Sequence, residues 1–345
     1  MTAQSTTHVT SLPKTGEDDY AGNLTIGLPV NVLQELAKVN VITAVVAIAS
    51  EWLAIFGAIA LCHFFWHPLL YLVIVMFIGG RQHALAVLQH EAAHYHLLPN
   101  RYWNDGVAEL LLAWPILLSN QNFRSYHFPH HRYIGTEKDG NRAQYGTHTP
   151  TGELRPTWFF PKAKKQFAIW LIIRLFGIGG LVYILRSFRR LLTQGSVSYR
   201  LANLFYYVGI LSLILWLQGG QLLLLYWFVP LCTWFIFTNI LRIAGEHSAI
   251  ATSDALETSH GFYGLTRTTL PSWFDRIFVV PRHICYHLEH HLYPHVPFYR
   301  LPDLHNQLMN LEHFQKQACV TQTYWHTLQE LIVYKFVWKI PLSKS

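Results

Sequence analysis

Two long stretches, Val39 to Gly80 and Leu201 to Leu241, contain no lysine or arginine, although the chain of 345 residues carries 26 of them. A helix needs about 20 apolar residues to cross a bilayer, so each stretch has room for two. The expected spans are Val39–Phe65, Leu69–Leu88, Leu201–Leu217 and Gln221–Leu241, joined by short uncharged turns around His67-Pro68 and Gly219-Gly220. Only 13% of the residues are charged, about half the share of a soluble domain.

The basic residues orient these spans. Two precede Val39, 15 lie from Arg81 to Arg200, and nine lie from Arg242 onward. The positive-inside rule then puts both termini and the long middle region in the cytoplasm. The expected division is a polar cytoplasmic segment at 1–38, a membrane domain at 39–310 and a C-terminal helical segment at 311–345. Val107–Leu118 is too short to span and contains Pro115. Gln166–Phe188 is apolar but punctuated by Arg174 and Arg186. A span there would move the last histidine cluster to the opposite side, so two interfacial helices are expected instead. Asn141–Pro156, rich in Thr, Gly and Pro, reads as a surface loop. The polar N-terminal segment lacks the basic start and apolar run of a cleavable signal. The four cysteines have no paired spacing and imply no disulfide frame. The net charge of +7 suits an anionic leaflet or an acidic redox partner. Nucleic-acid binding is excluded, because no basic run is interleaved with stacking aromatics.

Nine histidines give this topology its chemistry. His90 and His94 stand in HEAAH directly after the second span. His127, His130 and His131 form HFPHH, and His287, His290 and His291 form HLEHH. His247 follows closely on the fourth span. All nine can meet on one face of the membrane. Imidazole is the commonest metal ligand, and this many are more than one ion can use. In HFPHH and HLEHH the first and last rings lie one helical turn apart. The middle ring reaches sideways, so one cluster can touch two neighbouring ions. The fold class expected is therefore an all-α integral membrane protein with four transmembrane helices, interfacial helices and a cytoplasmic helical cap carrying a histidine-rich di-metal site. Imidazole suits Zn, Cu, Fe and Ni. A metal transporter would instead line its spans with ligands along a path.

Nitrogen-only ligation leaves positive charge that nearby carboxylates should balance while fixing the imidazole tautomers. Glu91, Asp105, Glu109, Glu246 and Glu289 are the candidates. His83 shares a face with His90 and is a candidate support. His96, His283, His295 and His305 lie near the clusters but are not expected to be ligands, and His63 and His67 are on the far side. Glu51, inside the first span, is read as a helix–helix hydrogen bond.

These motifs resemble the membrane-bound fatty acid desaturase family. The resemblance runs from about Val39 to Leu308 and includes the order HEAAH, HFPHH, HLEHH with the membrane hairpin before the third. HLEHHLYPHVPFYRLPDLH (His287–His305) is similar to the acyl-lipid desaturases, as is Glu246-His247. The resemblance implies two iron ions held by His90, His94, His127, His130, His131, His247, His287, His290 and His291, with O2 as co-substrate and no catalytic residue beyond the metal centre. It also implies an acyl-lipid substrate in a bent tunnel. No His-Pro-Gly-Gly haem domain is present, which implies a separate electron donor, ferredoxin or cytochrome b5. Arg124, Arg132, Lys138 and Arg142 are candidates to dock it. Acyl-CoA relatives have an asparagine four residues before the extra histidine; here that position is Ile243, with Asn239 a turn earlier. Hydroxylases, sphingolipid desaturases and carotenoid ketolases share the same three-box pattern and remain alternatives.

Overall fold

A computed structural model describes residues 27–134, 138–141, 164–247, 263 and 266–333. Four helices are long and apolar enough to cross a membrane: α2 (Val41–Phe64), α3 (Pro68–Ala93), α8 (Val197–Trp216) and α9 (Gly220–His247). They coincide with the four apolar stretches and mark a multi-pass membrane protein. The remaining described helices are α1 (Val30–Leu36), α4 (Arg101–Val107), α5 (Asn120–Tyr133), α6 (Lys164–Leu175) and α7 (Ile178–Thr193). After α9 come α10 (His287–Leu292), α11 (Leu301–Leu308), α12 (Glu312–Gln317) and α13 (Thr323–Val333).

Local chemistry sets the helix starts. Asn40 accepts from the Thr43 amide at the head of α2, and His67 accepts from the Leu69 amide at the head of α3, where Pro68 opens the helix. α3 runs past the expected Leu88 to Ala93, because its second half is enclosed by protein. Gln82, His83, Gln89 and Glu91 are all buried. Gln82 donates to the Trp227 carbonyl at 2.9 Å, and Gln89 to the Asn120 side chain at 3.0 Å. Such polar groups would be costly against lipid. α8 is the opposite case: its apolar side chains are largely exposed and only Asn203 is buried. α9 widens into π turns at Leu224–Phe228 and Leu231–Phe235 around Pro230, which has no amide to donate.

Helix pairs approach closely where a side chain is missing. A Cβ on Gly79 would lie 2.7 Å from Trp234 Cβ, and one on Gly180 would lie 2.2 Å from Cys232 Cα. Both contacts press a neighbour onto α9. The apolar run around Arg174 forms two helices, Ala168–Leu175 and Ile178–Thr193, bent by 60°. Gly177 takes a left-handed φ of 83° at the bend, where other residues are strained. Val107–Leu118 continues α4 through a π turn at Ala108–Ala113 and a short 3₁₀ turn at Trp114–Ile116.

The described chain is mostly helical, as expected, and carries one small parallel ladder. Strand β1 (Thr268–Leu270) pairs with β2 (Val320–Gln322) in the register Thr268 to Val320. The apolar core has two parts. One lies among α2, α3 and α9, around Ile55, Ile78, Leu85 and Phe235. The other lies in the cap, around Ile284, Leu288, Leu304, Phe314 and Tyr324. The loop expectation for Asn141–Pro156 falls outside the described residues except at Asn141, as do the segments before Gly27 and after Val333.

Glu51 makes the helix–helix hydrogen bond expected of it, to Arg81, and a second bond into the cap. Its carboxylate is buried and pairs with two arginines, Arg81 of α3 at 3.2 Å and Arg282 of the cap at 2.6 Å. A buried charge requires such partners. Arg282 also donates to the Ala47 carbonyl at 2.9 Å and to Ser50 Oγ at 2.6 Å. Arg81 reaches the Ile277 carbonyl at 2.5 Å. The cap segment is thereby tied to the first two spans.

Candidate metal centre

Four elements carry the nine histidines. α3 carries His90 in its last turn and has His94 as its C-cap; α5 carries His127, His130 and His131; α9 ends on His247; α10 carries His287, His290 and His291. The helix ends are held in place by charge. Glu109 accepts from the Asn120 and Gln121 amides at 3.1 and 3.0 Å, satisfying the first donors of α5. Arg124, itself paired with Asp105 at 2.7 Å, donates to the Ala92 and Ala93 carbonyls that close α3. Arg124 is thus committed to the architecture, which corrects its reading as a docking residue. Arg132 and Lys138 are exposed beside the Tyr133 ring, and Arg142 lies outside the described residues.

The nine rings fall into two groups. His90, His94, His127, His131 and His290 form one; His130, His247, His287 and His291 form the other. Within each group one ligand atom per residue lies within 4.8 Å of every other. The first and last histidines of HFPHH belong to one group and the middle one to the other. HLEHH divides the same way with the groups exchanged. The groups adjoin, with His131 and His291 rings stacked at 4.3 Å.

The donor set fits metal ions. Nε2 atoms face each other at 2.9 Å (His94 and His127), 3.0 Å (His127 and His131), 3.1 Å (His131 and His290) and 2.8 Å (His247 and His287). Nε2 of His90 is buried with no hydrogen-bond partner. Several Nδ1 atoms turn outward to carboxylates: His130 to Asp139 at 2.8 Å, His90 to Glu91 at 3.4 Å and His287 to Glu246 at 3.6 Å. At His130 the Asp139 carboxylate accepts from the Nδ1–H and leaves the Nε2 lone pair facing inward, whereas Glu91 and Glu246 are close to His90 and His287 without a hydrogen bond. Burial first, and neighbouring imidazoles second, hold the pKa of His127, His131, His287 and His291 well below the usual range; His94 and His290 follow the same pattern. These rings are neutral ligands at ordinary pH.

The five candidate carboxylates divide. Glu91 and Glu246 touch site histidines. Asp105 and Glu109 secure helix ends, and Glu289 accepts from His305 Nδ1 at 2.6 Å and from the Thr268 hydroxyl. Asp139 was not anticipated from the sequence. It lies beyond the end of α5, past a change of conformation, where helical periodicity gives no signal. His83 bonds the Val279 carbonyl at 2.8 Å and His96 bonds Glu91 at 3.1 Å, so each supports packing or a carboxylate. Asn239 is half-buried in α9, two turns before His247.

The sequence profile of the family described as fatty acid desaturase matches residues 64–323. The chain belongs to the fatty acid desaturase family. It is 29% identical over 281 residues to a dihydrorhizobitoxine desaturase of Bradyrhizobium elkanii, covering 78% of this chain and 76% of that protein. It is 25% identical to a putative sphingolipid delta(4)-desaturase/C4-monooxygenase of Caenorhabditis elegans, covering 66% of this chain and 56% of the relative. A sphingolipid delta(4)-desaturase of Pongo abelii is 26% identical, over 64% of this chain and 60% of the relative. As a member of this family the chain is an oxidoreductase, and its two imidazole groups could each hold a metal ion.

Proposed function

We propose that this protein is an O2-dependent, di-iron desaturase that introduces a double bond into a lipid-linked acyl chain. The observation that carries the reading is the pair of adjoining, buried, all-imidazole groups. His90, His94, His127, His131 and His290 would hold one iron, and His130, His247, His287 and His291 the other. Bound iron would supply the chemistry for reducing O2 to two waters while two hydrogens leave adjacent methylenes, with two electrons and two protons from a donor completing the balance. The chain's own residues orient the ligands. Asp139 fixes the His130 tautomer, Glu91 and Glu246 lie beside His90 and His287 where a carboxylate would offset positive charge, and the enclosed cap excludes water from the site.

In this reading the membrane domain spans 39–310, the segment 311–345 closes the cap, and both termini and the site face the cytoplasm. All 26 Lys and Arg lie outside Val39–Gly80 and Leu201–Leu241, which contain both turns assigned to the far side, and that asymmetry supports the orientation. A separate ferredoxin or cytochrome b5 supplies electrons, and the bent acyl tunnel belongs to the same proposal. A second reading, desaturation or hydroxylation of a sphingolipid, is favoured by the names of two of the relatives.

The test is expression in a host lacking polyunsaturated lipids, with iron and ferredoxin supplied, followed by mass analysis of fatty acid esters and sphingoid bases. An acyl product two mass units lighter supports the proposal. A product heavier by one oxygen, or a change confined to sphingoid bases, replaces it with the second reading. No new product from an iron-loaded protein defeats both.

A further inference from the structure

A cavity of about 400 Å³ lies apart from the histidines, where the cap meets the first two spans. Thr43, Glu51, Arg81, Arg276, Arg282 and His283 contribute to its lining. Three guanidiniums face one carboxylate, so the cavity wall is net positive even with His283 neutral. Burial, then Arg276 and Arg282, lower the pKa of His283 against the opposing pull of Asp303, so the ring adds a hydrogen-bonding group to the wall. Glu51 is occupied by Arg81 and Arg282. Arg276 is exposed, bonds the Tyr286 side chain, and has no carboxylate partner among the described residues.

The backbone here is strained. Arg282 and His283 are consecutive non-glycine residues with φ of 58° each, a conformation held only when the surroundings impose it. The ties from Arg282 to Glu51, Ser50 and Ala47 impose it, and the same turn brings His283 to the cavity wall.

The surroundings indicate where a ligand comes from. Thr43 follows Ile42, which is 75% exposed, and is close to exposed Val45 and Val46. On the cap side Trp273 is 71% exposed, with Phe274 and Ile277 also exposed. An apolar rim beside a cationic cavity matches an amphiphile at the membrane interface. Another part of the wall, Phe298, donates its backbone amide to Glu91 at 2.9 Å, and Glu91 contacts His90.

The geometry points to a binding site for the oxyanion head, phosphate or carboxylate, of a membrane amphiphile. It deepens the proposed function only in that the bound amphiphile would be the substrate; binding of an anionic head does not depend on iron or turnover. The site selects by charge, with Arg276 as the group free to meet the ligand.

The test uses the full chain in neutral detergent, without turnover, and measures lipid binding by native mass spectrometry. The probes are dioleoyl phosphatidate, oleate, dioleoyl phosphatidylcholine and inorganic phosphate. Phosphatidate or oleate is expected to bind at least about tenfold tighter than phosphatidylcholine, the scale of one charge-assisted contact pair. Arg276→Gln should lose about tenfold for the anionic lipid, and Arg276→Lys should recover most of it. The tighter of phosphatidate and oleate identifies the head. Inorganic phosphate binding as tightly as the lipids would overturn the membrane source. Equal binding of anionic and zwitterionic lipid, or an unchanged Arg276→Gln protein, would overturn the site. Because Arg276 is exposed, the variant folds if its thermal transition matches wild type. Anion selectivity without any desaturated product would leave this site standing and remove the proposed function.

Discussion

At the residue scale, the division of histidines between two groups makes separable predictions. His290→Ala removes one ligand from the five-membered group and His130→Ala one from the four-membered group. Each should abolish turnover while leaving the protein inserted, and iron analysis should read a drop from two ions toward one. Two ions retained with full activity would defeat the assignment. Asp139→Asn leaves every imidazole in place but weakens the hold on His130 Nδ1, so iron affinity or activity should fall about 10–100-fold. Acidity tests the same rings. His94, His127, His131, His287, His290 and His291 have folded pKa values below the unfolded value of about 6.5. On acidification the unfolded chain takes up protons first, so metal-free stability should be flat above about pH 7 and decline below about 6.5. Thermal melts across that range check the sign; a stability that rose on acidification would refute it. The one-four-five spacing made this partition legible in the sequence, since helical geometry alone separates the middle ring. Asp139 and the arginine partners of Glu51 were not legible, because the contacts join segments whose approach no local pattern records.

At the scale of elements, apolar stretches without basic residues located all four long helices, since lipid leaves the backbone few options. The bounds were less legible. α3 continues to Ala93 because protein, not lipid, surrounds its polar second half, and burial by distant segments is invisible to a hydropathy reading. Strands β1 and β2 are too short to show alternation, and they pair across a long stretch of intervening chain. Close helix contacts offer a direct test. Gly180→Leu would drive a side chain into the backbone of α9 at Cys232, whereas Gly209→Leu meets nothing within 4 Å. The first should lower the yield of folded protein in detergent and the second should not, as size-exclusion profiles would show. Equal profiles would mean that α7 packs elsewhere.

At the scale of the molecule, the spans carry the apolar surface and one end carries the chemistry. If both termini and the site face the cytoplasm, a cysteine placed at Gly219, in the turn between α8 and α9, should react with an impermeant thiol reagent on intact cells. One placed at Asn310 should react only after permeabilisation. The opposite pattern would invert the topology. The order of the ligands along the chain has a consequence for biosynthesis. The first ligand is His90 and the last two are His290 and His291, one in each group. A ribosome-bound chain that has reached His247 therefore holds its earlier imidazoles at the membrane and waits for α10 before either group can close. In the proposed reading, a product truncated after His247 lacks one histidine of the five-membered group and two of the four-membered group, so neither would be complete.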